Sequence, residues 1–190
     1  SLITFRTPVE EFVATLGTPG LHNIRNALAA AACAYALAVP SAAIVAGLAA
    51  YAGIKGRLQP KRHASGALVI DDTYNANPES MQAAIAVLAA YPGRTYFVMG
   101  DMGELGANAE AMHASIGEFA KRAGVRAMFA LGDFSAAAVR SFGEGAKHFS
   151  TVDELVSALS GRLEHGSTVL VKGSRFMRME RVVEALGAVN

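Results

Sequence analysis

From Lys61 to the end of the chain, short runs of strand-forming residues alternate with stretches of helical period, and this alternation constrains the fold most. Candidate strands are Lys61–Ala64, Ala67–Ile70, Thr95–Met99, Ala127–Leu131, Lys147–Phe149 and Thr168–Val171. Candidate helices are Pro78–Ala90, Ala107–Ala123, Ser135–Phe142, Val152–Arg162 and Met177–Leu186. Strands separated by helices at this spacing build a mainly parallel sheet with helices on both faces. The first two strands are joined only by Ser65-Gly66. They must pair antiparallel, because a parallel crossover needs about a dozen residues. The expected class is α/β with one antiparallel edge strand.

The stretch before Lys61 reads differently. Leu2–Phe5 and Glu11–Leu16 suggest a hairpin turning at Thr7-Pro8, and Gly17-Thr18-Pro19-Gly20 breaks the chain. A helix then opens at Leu21-His22-Asn23 and runs to about Val39, and a second starts at Ser41 as its cap and runs to about Tyr51. Composition shifts across Gly53–Pro60, which places a domain boundary there, between residues 1–59 and 60–190. A hairpin and two helices do not make a complete domain, so residues 1–59 are expected to be the tail of one. Ala27–Ile54 carries no charge, yet Pro40-Ser41 interrupts it and each half is too short to span a bilayer. Two packed helices are expected, with no membrane span.

Composition removes several function classes. With 190 residues, a net charge of +1 and 52% hydrophobic content, the chain reads as a soluble globular protein and a poor partner for nucleic acid. Its single cysteine, Cys33, excludes a disulfide framework and a cysteine metal site, and suits a reducing cytoplasm. Ser1–Phe5 has none of the marks of a signal peptide. The five histidines show no metal-ligand spacing; His113, His148 and His165 read as surface residues. Neither G-x-S-x-G nor G-x-x-x-x-G-K-[ST] occurs. Gly100–Gly106 follows a strand and precedes a helix, as a phosphate loop would, and Leu131-Gly132-Asp133 ends the next strand with an acid. The glycine spacing is G-x-x-G-x-x-G, however, which departs from the fingerprint of a nicotinamide-dependent oxidoreductase.

Three stretches carry chemistry. Ile70–Met81 (IDDTYNANPESM) crowds acids, amides and a hydroxyl at the carboxyl end of a strand, where open α/β sheets place ligands. Pro78 suits the first helical turn with Asn77 as cap, and the bland reading of the string is a hydrogen-bonded βα turn. In His22-Asn23-x-x-Asn26 the two asparagines share one face of a helix's first turn, although capping by Asn23 would explain the first of them. Lys172-Gly173-Ser174-Arg175 closes the last strand and leads into the last helix, as a solvated turn or as an anion site.

Taken together, Asp-Asp-x-Tyr-Asn-Ala-Asn-Pro-x-Ser-Met, Gly-x-His-Asn-x-x-Asn with Gly-Arg-Leu at Gly56–Leu58, and Lys-Gly-Ser-Arg resemble the signature of the Mur ligases. The match is to the branch that adds D-Ala-D-Ala to UDP-MurNAc-tripeptide, and it covers nearly the whole chain. The resemblance implies the end of a central ATP-binding domain (residues 1–59) followed by a Rossmann-like carboxyl-terminal domain (residues 60–190). It implies an ATP- and Mg²⁺-dependent amide ligase that proceeds through an acyl phosphate, in the cytoplasm, as a monomer. By position, Arg57 would be the catalytic phosphate cation, and Asn23, Asn26, Arg57, Asp72 and Asn75 would bind ATP, with Asp72 on the ribose. Asp101, Glu104, Asp133, Lys172, Ser174 and Arg175 would bind D-Ala-D-Ala. The family's phosphate-loop lysine and threonine, its Mg²⁺-binding glutamate and its carbamylated lysine would lie upstream, so these 190 residues alone are expected to hold no metal and to be inactive. Two alternatives stand beside this. One is another ligase of the superfamily, of the folylpolyglutamate or cyanophycin synthetase type; the other is a non-catalytic nucleotide-binding or interaction domain.

Overall fold

The computed structural model describes residues 1–18, 20–51 and 53–189, with the backbone alone at His22. Its contacts divide the chain into two compact units, Ser1–Ile54 and Lys55–Asn190.

In the first unit, β1 (Leu2–Arg6) and β2 (Glu11–Thr15) form an antiparallel hairpin with Leu2 opposite Thr15. Thr7 holds its turn: the hydroxyl donates to the Glu10 carbonyl (2.9 Å) and accepts from the Glu10 N–H (3.0 Å). Helices α1 (Leu21–Ala36) and α2 (Ser41–Ala50) follow. Phe5, Ala14, Leu16, Ala27, Ala31 and Ile44 form this unit's core, and the Phe5 ring stacks on Phe12.

Both expected caps of these helices fail. The N-cap of α1 is Gly20, at φ 102, with no side-chain cap bond, so Asn23 lies inside the first turn. Pro40 occupies the N-cap of α2, and the Ser41 hydroxyl donates instead to Glu10 Oε2 across the hairpin turn (3.0 Å). The first helix also ends before Val39, because Ala38 turns left-handed at φ 56. Among the described residues no helix is long and apolar enough to cross a membrane.

The second unit is a six-stranded sheet of β3 (Gln59–Arg62), β4 (Leu68–Asp72), β5 (Thr95–Gly100), β6 (Ala127–Leu131), β7 (Ala146–Phe149) and β8 (Thr168–Lys172). The order is β3-β4-β8-β5-β6-β7, with β3 antiparallel to β4 and every other pair parallel. Helices α3 (Pro78–Ala89), α4 (Ala109–Arg122), α5 (Ser135–Phe142), α6 (Val152–Ser160) and α7 (Glu180–Ala185) complete it.

Alternate strand residues face opposite ways and feed two cores. Ile70, Phe97, Met99, Met128 and Leu170 pack with side chains of α3, α4 and α5, including Ile85, Ile116 and Phe142. Val69, Val98, Phe129, Val169 and Val171 pack with Leu155 and Leu159 of α6 and with Val182 and Val183 of α7. Burial on both faces is why β5, β6 and β8 read as continuous apolar runs rather than alternating ones. This is the expected α/β architecture, preceded by a hairpin and two helices.

Candidate functional site

The parallel strands β4, β5, β6 and β8 end side by side, and their following loops collect most of the residues expected to act. Those loops are not left to turn chemistry alone. Buried charges and one hydroxyl tie them into a single hydrogen-bonded frame.

Asp71 and Asp72 close β4 and do different work. Asp71 pairs with Lys61 of β3 (3.0 Å), and its Oδ1 accepts from the hydroxyl (2.7 Å) and the N–H (3.3 Å) of Thr73. Asp72 Oδ2 pairs with Lys172 at the end of β8 (2.7 Å), and its Oδ1 accepts from the Leu58 N–H (3.1 Å). Lys172 is only 3% exposed and also donates to the Asn75 carbonyl (2.8 Å). One ammonium therefore joins two strand ends and the loop after β4. Thr73 is also a neighbour of Gly56: a Cβ at that glycine would sit 3.2 Å from the Thr73 hydroxyl and 3.1 Å from the Tyr74 nitrogen, at a φ of +73. The Tyr74 N–H donates to the Gly56 carbonyl (2.9 Å), which lays the exposed Arg57 guanidinium over the Tyr74 ring, 4.4 Å from its centroid.

At the end of β5, Asp101 is buried, and both its carboxylate oxygens accept backbone N–H groups at the start of α5: Ser135 (2.7 Å) and Phe134 (3.1 Å). A carboxylate suits the partial positive charge of a helix amino end. Gly132, at φ +123, leaves it room; a Cβ there would stand 2.4 Å from Asp101 Oδ1. Ser174 links three loops. Its hydroxyl donates to the Ala76 carbonyl (3.0 Å) and accepts from the Gly103 N–H (2.8 Å), and its own N–H donates to the Asp101 carbonyl (2.9 Å).

A cavity of about 720 Å³ opens over this frame, lined by Tyr74, Asn75, Glu104, Ser174, Arg175 and Phe176 among others. Glu104 and Arg175 are exposed and bring one carboxylate and one guanidinium to it; the Arg175 side chain is 69% exposed, with Glu180 3.7 Å away. A smaller hollow of about 410 Å³ lies near Arg94, Arg126 and Arg162, at the other ends of β5 and β6, and gathers none of the expected residues.

Two expectations about local structure are corrected here. Arg175 does not open the last helix. It sits on a single 3-10 turn (Arg175–Met177), and Arg178 in the left-handed region separates that turn from α7. The N–H groups of an α-helix end therefore do not stand behind Arg175. His113 is no surface residue: it is fully buried in α4, and its Nε2 accepts from the Met102 N–H (2.8 Å). His148 and His165 are exposed, as expected.

The frame also weakens the dinucleotide reading. Two amides that a phosphate cradle in Gly100–Gly106 would use, Met102 and Gly103, already donate to His113 and Ser174.

Of the expected site residues, the frame and its cavity bring together Arg57, Asp72, Asn75, Asp101, Glu104, Lys172, Ser174 and Arg175. Asp133 is exposed after Gly132 and does not line the cavity. Asn23 and Asn26 belong to the first unit, on α1, and the side chain of their neighbour His22 lies outside the described residues. Sequence reasoning missed Tyr74 as the ring beneath Arg57 and Phe176 as a cavity wall. It also missed His113, for which a signal existed: Ala109, His113, Ile116, Gly117 and Ala120 recur at helical spacing and are all buried.

The family description "Mur ligase, glutamate ligase domain" matches residues 56–175. The chain is 44% identical over 185 residues to the UDP-N-acetylmuramoyl-tripeptide--D-alanyl-D-alanine ligase of Escherichia coli K12, covering 96% of this chain and 41% of that protein. A crystal structure of MurF from Acinetobacter baumannii superposes with a TM-score of 0.88 at 38% identity, over 97% of this chain and 41% of that one. MurF from Thermotoga maritima, solved in complex with ADP, gives 0.82 at 27% identity, over 97% and 42%. The chain thus spans about two-fifths of the length of the relatives it matches.

Proposed function

The chain belongs to the Mur ligase family, and on that premise we propose that it serves an ATP-dependent ligase joining D-Ala-D-Ala to UDP-MurNAc-tripeptide in cytoplasmic peptidoglycan precursor synthesis. In this reading residues 1–59 complete a central ATP-binding domain and residues 60–190 form the carboxyl-terminal domain of a monomeric enzyme. The single observation that supports it most is the pairing of motif with position. The motif residues at Arg57, Asp72, Asn75, Glu104, Ser174 and Arg175 meet around one strand-end frame, and the cavity there offers one carboxylate and one guanidinium. A dipeptide with a free amine and a free carboxylate is the complementary ligand.

ATP, when bound, supplies the phosphoryl group that makes the tripeptide carboxylate an acyl phosphate. The dipeptide amine then attacks the acyl carbon, inorganic phosphate leaves, and the nitrogen loses one proton. This chain's contribution is orientation. Arg57, with its guanidinium over the Tyr74 ring and exposed, offers its N–H groups to phosphoryl oxygens. Asp72, held by Lys172 and Leu58 at the end of β4, accepts from a ribose hydroxyl. The exposed Asn75 side chain binds nearby, with Asn23 and Asn26 contacting the nucleotide from α1.

On the other side, Arg175 grips the dipeptide carboxylate with its two-pronged fork, and Glu104 attracts the amine end. Asp101, Lys172 and Ser174 act on the dipeptide through the frame, and Asp133 stays exposed outside the cavity. Among the described residues no group of three His, Cys, Asp or Glu could hold a metal ion. In this reading Mg²⁺ is held mainly by the upstream part of the enzyme, and no step here is routed through it.

The reading is tested by phosphate release from the intact enzyme. Release should require both UDP-MurNAc-tripeptide and D-Ala-D-Ala, and single amino acids should not replace the dipeptide. Release supported by glutamate in place of D-Ala-D-Ala would assign the chain to another branch of the superfamily.

A further inference from the structure

His113 does more than fill space. Its ring is fully buried beneath the loop that follows β5, tilted against Phe134 with centroids 5.6 Å apart. The Met102 N–H can only donate, so the Nε2 that faces it at 2.8 Å carries no proton. The proton lies on Nδ1, which donates to the Ala109 carbonyl one helical turn back (2.7 Å). Nε2 also stands 3.8 Å from Asp101 Oδ1, the carboxylate that caps α5. The imidazole thus reads one backbone amide in the loop and one carbonyl in its own helix.

The segment just past that amide forms a wall of the cavity. Gly103 is held by Ser174, and Glu104 has a left-handed φ of +61, a conformation that costs a non-glycine residue energy unless its neighbours hold it. Met102 is 2% exposed and immediately precedes this pair. A leucine or methionine in its place would not accept the Met102 N–H.

We propose that His113 is a positioning residue: by fixing the Met102 amide it sets where Glu104 stands in the cavity, and so governs use of the amine-bearing substrate without touching it. This rests on the reading that the cavity receives that substrate.

Two replacements separate the ring's functions. In His113→Gln the side-chain carbonyl takes the place of Nε2 as acceptor for Met102. In His113→Asn the side-chain amide takes the place of Nδ1–H as donor to Ala109, and Met102 is left without a partner. In the intact enzyme, His113→Asn should raise the Michaelis constant for D-Ala-D-Ala about tenfold, the scale of one lost orienting hydrogen bond. His113→Gln should stay within about threefold, and the constant for ATP should hold within about twofold in both, the acceptor at Met102 being the part that matters. Equal shifts in the two variants that follow their losses in melting temperature, or no shift in either, would overturn the proposal.

Hydrogen exchange at the Met102 amide of the 190-residue chain provides a readout independent of the substrate. It should quicken in His113→Asn and not in His113→Gln, and equal rates would overturn the proposal as well. If the intact wild-type enzyme does not use D-Ala-D-Ala, the reading of the cavity fails, and the exchange result still decides what His113 does.

Discussion

Asp72 shows how little freedom a strand-end residue has. Its carboxylate is the counter-charge of an ammonium whose side chain is only 4% exposed, and it also accepts the Leu58 N–H. Asp72→Ala would leave Lys172 charged and unpaired in the interior, which costs about 3–5 kcal/mol. Denaturant unfolding of the 190-residue chain should show that loss. A change under about 1 kcal/mol would mean the pair behaves as a surface bridge. In the intact enzyme the same variant should raise the Michaelis constant for ATP more than that for D-Ala-D-Ala. The chemical type of Asp72 and Lys172 was legible in the sequence, and their pairing was not. They are a hundred positions apart, and only the insertion of β8 beside β4 makes them neighbours. The opposite holds for His113, whose burial was written in the helical spacing of α4 and was obscured by the habit of placing histidines outside. Asn23 and Ser41 were misjudged as caps because Gly20, three residues before Asn23, and Pro40, one before Ser41, take the non-helical backbone position that a cap requires.

At the scale of elements, hydrophobic period located every strand and helix of the second unit to within about three residues. The antiparallel start also followed from a two-residue connection. Strand order did not follow, because no local pattern says that the last strand enters between the first and second parallel ones. Nor did the 3-10 turn at Arg175–Met177, since nothing in Arg-Phe-Met-Arg announces that Arg178 will turn left-handed. Close helix contact was equally hidden. Gly117 of α4 meets α5 so tightly that an added Cβ would lie 2.0 Å from the Ala138 carbonyl oxygen. Gly→Ala in an exposed helix would add up to about 1 kcal/mol of stability. Here overpacking against backbone should reverse the sign, and Gly117→Ala should destabilise by about 1–3 kcal/mol or more. A melt that shows Gly117→Ala to be stabilising would mean that α4 and α5 lie further apart than described.

At the scale of the molecule, the second unit has two cores of its own, one on each face of its sheet, whereas the first has one small core and leaves Leu21, Leu28 and Leu37 exposed. Amide exchange should therefore be slowest in β5, β6 and β8 and markedly faster across α1 and α2. Equal protection in both units would contradict the difference between their cores. The central claim, however, concerns division of labour at the strand ends: Arg57 and Asp72 serve the nucleotide, and the cavity beside them serves the second substrate. Arg175 tests it most directly, because its guanidinium is exposed at the cavity and lies only at the edge of ion-pair distance from Glu180. Steady-state kinetics of the intact Arg175→Ala enzyme should show D-Ala-D-Ala use weakened by about 2–4 kcal/mol, with the Michaelis constant for ATP nearly unchanged. Unaltered dipeptide kinetics, or a loss confined to ATP, would contradict the account.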